Sequence, residues 1–96
     1  MIDVRIVSNT DERSVFFDFN ILDIVDFAYE APEKYPFLSS IDYYWVTYFS
    51  FQQVNDRLLP ELLNLSRYRN FKEKVNSLIR YIWQLKQHDS LQVIWD

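Results

Sequence analysis

Three carboxylates, Asp23, Asp26 and Glu30, recur at intervals that place them on one side of a helix, with Asp18 before them and Glu33 after. Carboxylates grouped in this way can attract a basic partner or hold a hard cation through oxygen ligands. A calcium loop would need a fixed acidic pattern around a glycine, and the chain has no Gly. The same residues also suit a plain solvated helix face, since Asp near a helix N-terminus is stabilised by the helix dipole. Phe27 stands beside the acids and off the apolar stripe, in the position of an interface anchor inside a charged rim. Packing on the sheet edge or the Tyr35-Pro36 loop is the ordinary alternative for that ring.

A second group is basic: Arg67, Arg69, Lys72 and Lys74, interleaved with Tyr68 and Phe71 at the start of a helix. Cations and rings in alternation can hold a single-stranded nucleic acid. The chain's formal charge of −4 opposes this, because neutralising phosphates takes a broader basic surface. Such a segment also serves as a solvated loop or as an internal counterpart to the acidic half. His88-Asp89-Ser90 has the residue types of a hydrolytic triad. Adjacency in sequence is not triad geometry, and a turn explains all three. No pair among the fourteen acids stands out by spacing for acid–base work, so no enzyme is expected.

The charge is unevenly divided. Residues 1–56 hold ten acids and three bases, and residues 57–96 hold four acids and seven bases. The halves therefore carry −7 and +3, which together give −4. Such a field does not choose a fold, but it steers an oppositely charged surface into contact. The absence of Cys removes disulfides and thiolate chemistry, and with one His the usual zinc ligand set is missing. The absence of Gly removes phosphate-binding glycine loops. No cofactor or metal is expected. The longest uncharged run, Tyr43 to Asn55, is too short and polar to span a bilayer, and Met1 to Arg5 lacks the look of a signal peptide. A soluble, cytoplasmic protein is the expectation.

These groups need elements to position them. Ninety-six residues, 49% hydrophobic and 19% aromatic, suffice for one domain over residues 1–96 with a single core. Ile2, Val4 and Ile6 alternate with polar residues as a half-buried strand, and Val15, Phe17 and Phe19 alternate as a second, completing a hairpin. Asn20 can cap a helix whose inner face is Ile21, Ile24, Val25 and Ala28, stopped by Pro32. Ile41 to Phe49 is rich in strand-forming types and apolar on both faces, which predicts a central strand. On it, Tyr44 and Tyr48 would share a sheet face with Phe16 and Ile94. Ser50 and Gln53 form a capping box, followed by Phe51, Val54, Leu58, Leu62 and Leu65 on one helical face. The stripe keeps its phase across Pro60, which predicts one bent helix with the proline on its convex side. Asn70 and Glu73 open another helix with Phe71, Val75, Leu78, Ile79, Ile82 and Leu85 inward, and Leu91, Val93 and Trp95 close the chain as a strand. The order β-β-α-β-α-α-β predicts an α+β two-layer domain: about three helices on a mostly antiparallel sheet of about four strands.

The sequence of landmarks then becomes informative. It runs Tyr35-Pro36, Ile41-Asp42-Tyr43-Tyr44, Thr47-Tyr48-Phe49-Ser50, Gln53 and Leu59-Pro60-Glu61-Leu62, followed by a helix and a strand ending in Asp96. It resembles small bacterial immunity-type proteins encoded beside secreted polymorphic or contact-dependent toxins. The resemblance implies tight, non-catalytic inhibition of a cognate toxin and carries no functional residues with it. From the residues themselves, the expected partner-binding set is Asp18, Asp23, Asp26, Phe27, Tyr29, Glu30, Glu33 and Tyr35, facing a basic protein, which the resemblance implies is a toxin domain. A homodimer joined through the aromatic sheet face is the alternative, and a nucleic-acid binder the third.

Overall fold

The computed structural model describes residues 2–8 and 20–95, the side chain of Trp95 excepted. Strand β1 (Ile2–Val7) buries Ile2 and Val4 on the face their alternation predicts. The strands β2 (Thr47–Ser50) and β3 (Ser90–Trp95) complete an antiparallel sheet of order β1-β3-β2. Registers of Val4 with Val93, Ile6 with Leu91 and Phe49 with Leu91 put the apolar side chains of all three strands on one face. Helix α1 (Leu22–Tyr29) contributes Ile24, Val25 and Ala28 to the same core. Each fully buried aliphatic side chain there is worth roughly 1.5–3 kcal/mol. The fold is α+β, with three helical rods and a three-stranded antiparallel sheet among the described residues. None of these helices is long and apolar enough to cross a membrane.

Asn20 ties the first elements together. Its Oδ1 accepts the N–H of Leu22, the first helical residue, at 3.1 Å and that of Ile2 at 2.9 Å. The N-cap is Ile21, which carries no side-chain cap bond, so Asn20 fixes the entry of α1 against β1 from one residue earlier and does not cap the helix as expected. The helix ends at Tyr29, ahead of Pro32.

Residues 51–65 form one helical rod. The short α2 (Phe51–Gln53) opens on the predicted capping box: Gln53 N–H donates to Ser50 Oγ at 3.2 Å, and Ser50 N–H donates to Gln53 Oε1 at 2.9 Å. A π-helical turn (Val54–Leu58) follows, then α3 (Leu59–Leu65) with Pro60 in its first turn. Proline lacks an N–H and its ring crowds the carbonyl four residues back. The wider π turn just before it, closed by Leu59 N–H on Val54 C=O, accommodates that ring without ending the rod. Helix α4 (Lys72–Ile82) buries Val75, Leu78, Ile79, Tyr81 and Ile82. Asn70 does not cap it. The residue before the helix is Phe71, and its C=O takes the Val75 N–H at 2.8 Å.

One expectation for the sheet changes, and one is not reached. The predicted strand 15–19 lies outside the described residues. The predicted strand 41–49 shrinks to β2, and β2 is an edge strand of the described sheet while β3 holds the centre. Local side-chain bonds account for the shortening. Asp42 Oδ1 accepts the N–H of Tyr44 at 2.8 Å, and Asp42 N–H donates to Thr47 Oγ1 at 3.1 Å. Such bonds offer the backbone a turn in place of a ladder. Tyr44 is consequently in a bend, while Tyr48 and Ile94 do share the outer sheet face. There Arg5 Nε donates to Gln92 Oε1, and Gln92 Nε2 donates to the Tyr48 hydroxyl at 2.8 Å, a polar row across all three strands.

Candidate functional site

Helix α1 exposes Asp23, Asp26 and Glu30 as its periodicity requires. Their surroundings differ. Asp23 is paired with Lys74 at 3.1 Å, so part of the basic segment neutralises part of the acidic one. Asp26 accepts the hydroxyl of Tyr43, whose ring lies 5.0 Å from that of Tyr29. Tyr29 in turn donates its hydroxyl to the C=O of Ile41. Glu30 and Glu33 are exposed. Among the described residues no Lys or Arg pairs with Asp26, Glu30, Glu33 or Asp42, so their negative charge remains available.

Two phenols border that field. Burial raises the pKa of Tyr43, and its bond to Asp26 and the charge of that carboxylate raise it further. Tyr29 is raised first by burial, then by Asp42 and Asp26. Both stay neutral donors at any physiological pH.

The remaining proposed residues turn inward or fall outside. Phe27 is half-buried, with ring centroids 6.1 Å from Tyr35, 5.1 Å from Tyr68 and 5.2 Å from Phe71. Its ring is packed among these three, although Tyr68 itself stays 41% exposed. Tyr35 is 1% exposed and donates its hydroxyl to Asn64 Oδ1 at 2.7 Å, so it cannot offer contact area to a partner. Asp18 lies outside the described residues.

Sequence reasoning singled out Tyr44 and Tyr48, as members of one sheet face, but missed Trp45 and the loop that presents it. The bend before β2 presents Tyr44 at 87% and Trp45 at 73% exposure, with Val46 beside them and Tyr48 following on the strand. The Asp42 turn and the Thr47 latch shape this loop. Asp42, a turn former inside an aromatic run, was the available signal. Through Tyr43 the loop reaches Asp26, so the acidic helix face and the aromatic segment, separate in the sequence, form one surface.

His88 and Asp89 line an open cleft of about 660 Å³ with Ser50, Gln52 and Asp56. Asp89 Oδ2 accepts the Lys86 N–H at 2.9 Å, closing the expected turn, and Ser50 Oγ is held by the Gln53 N–H. Among the described residues no cluster of three His, Asp or Glu could hold a metal ion. No family model matches the chain, and no curated protein or solved structure matches it either.

Proposed function

We propose that this chain is a non-catalytic immunity-type protein that binds and inhibits a cognate bacterial toxin in the cytoplasm through an acidic and aromatic surface. The observation that carries the reading is Tyr43, which bonds Asp26 while its ring lies tilted against that of Tyr29, and so joins the carboxylates of α1 to the exposed loop. Many toxin nucleases are basic because their substrate is a polyanion, and an acidic protein can occupy that surface. Asp26, Glu30, Glu33 and Asp42 steer the encounter, and the loop rings supply the desolvated contact. Asp23, already paired with Lys74, contributes less.

The test is co-expression with the product of the adjacent reading frame. Restored growth and a stoichiometric complex on size-exclusion chromatography support the reading. A toxic neighbour that this chain neither binds nor neutralises overturns it.

Exposure of Tyr48 on the same sheet face as Ile94 supports a second reading, self-association. Sedimentation as a monomer at high micromolar concentration removes it.

A further inference from the structure

We infer that Tyr44 and Trp45 form a cation-accepting anchor that takes arginine side chains from a cationic protein partner. The inference rests on the proposed function and names the chemistry by which the surface recognises its target.

Folding gives no reason for these rings to face water. The chain buries most of its large apolar side chains, yet Tyr44 and Trp45 stay mostly exposed on a loop whose form is set by bonds at both ends. Asp42 holds the Tyr44 N–H from one end and takes the Thr47 hydroxyl oxygen with its own N–H from the other. A loop fixed in advance loses little entropy on binding.

The neighbourhood decides the occupant. Asp42 lies in the loop itself, and Asp26 touches it through Tyr43. An apolar partner would strip water from these carboxylates and return nothing. A second copy of the chain would bring carboxylate against carboxylate. A cation satisfies rings and carboxylates together. Arginine does so best, because a planar guanidinium stacks on an aromatic face while its N–H groups reach a carboxylate.

The test uses the full chain, whose three Trp give separable indole N–H signals by NMR. The probes are an arginine-rich octapeptide and its lysine-matched counterpart. Trp83 is the internal control, 70% exposed at the end of α4. The expected result is a saturable shift at Trp45, larger with arginine than with lysine, and none of that kind at Trp83. Tyr44→Ala and Trp45→Ala, both at exposed positions, each weaken binding by about three- to tenfold with unchanged thermal unfolding. Equal responses at Trp45 and Trp83, or wild-type affinity in both variants, overturn the inference. So does a dimer in sedimentation that Trp45→Ala dissolves, since the occupant is then a second copy. If the double variant neutralises the toxin with undiminished affinity, the anchor falls and the proposed function stands. If the peptide binds at Trp45 while the neighbouring toxin is untouched, the function falls and the anchor stands.

Discussion

Glu61 Oε1 accepts the backbone N–H of Leu38 at 3.0 Å, and both oxygens of that carboxylate also receive the N–H of Phe37, at 3.2 and 3.0 Å. One turn along α3, Asn64 accepts the Tyr35 hydroxyl. Helix α3 thus holds the Tyr35–Leu38 loop by two side chains, the buried Glu61 and the exposed Asn64, and this loop leads through Ile41 into the exposed rings. Two landmarks far apart in the chain, Tyr35-Pro36 and Leu59-Pro60-Glu61-Leu62, meet here.

Glu61→Ala leaves two loop N–H groups without their acceptor in a largely dry site. The expected loss is about 2–3 kcal/mol, read as a lower urea midpoint with unchanged slope. A loss below about 0.5 kcal/mol would mean that water replaces the carboxylate.

Glu61 also gives stability a pH dependence. Burial raises its pKa above the ordinary 4.5, and the N–H bonds from Leu38 and Phe37 only partly offset this. The folded chain therefore keeps the proton to higher pH than the unfolded chain does. The contribution is fully present below 4.5 and is lost as pH rises through the folded value. Glu61→Gln abolishes this titration. The stability of the native chain relative to Glu61→Gln is expected to decline as pH rises from 4 toward neutrality, measured by paired denaturation curves. A difference independent of pH would contradict the raised value.

Ser50→Ala removes the hydroxyl that accepts the Gln53 N–H. A loss of about 1 kcal/mol is expected, and Ser50→Asp should recover most of it. Equal stability of all three chains would show that the box is decorative.

Lys74→Gln breaks an ion pair with both partners partly in water. The expected change in stability is under about 0.5 kcal/mol, smaller still in high salt. A larger loss would make the pair an organising contact between α1 and α4.

Charge reversal tests steering best where no bond is broken. Asp26 is tied to Tyr43 and Asp23 to Lys74, whereas Glu30 and Glu33 stand exposed. Glu30→Lys with Glu33→Lys should slow association with the cognate partner by about tenfold at low salt and leave dissociation nearly unchanged. Stopped-flow rates that do not move would take these two carboxylates out of the encounter.

Much of the architecture was legible because it is written in local patterns. The alternation of Ile2, Val4 and Ile6, the Ser50–Gln53 box and the stripe from Val75 to Ile82 each report a nearby period or cap, and each forms as read. Errors arose where a single polar side chain outweighed propensity. Ile41 to Phe49 favours a strand by composition, yet the Asp42 carboxylate captures the Tyr44 N–H and bends the first part away. The central place of β3 depends on pairing with β1 across nearly the whole chain, which no local window contains. The pairing of Asp23 with Lys74 is hidden for the same reason. Glu61 was nearer to being readable, since it lies in phase with Leu58 and Leu65 on the apolar stripe, and a charge in that position asks for a buried partner.

Ser50 ends β2 and starts the helical rod in the same residue, turning its own N–H to Gln53. Strand β2, one of the two outer strands of the described sheet, therefore offers a passing molecule only four residues of template before the backbone closes on itself. So short a rung is poor seed for fibrils. The exposed rings that precede β2 thus adjoin a backbone edge with little room for a further strand.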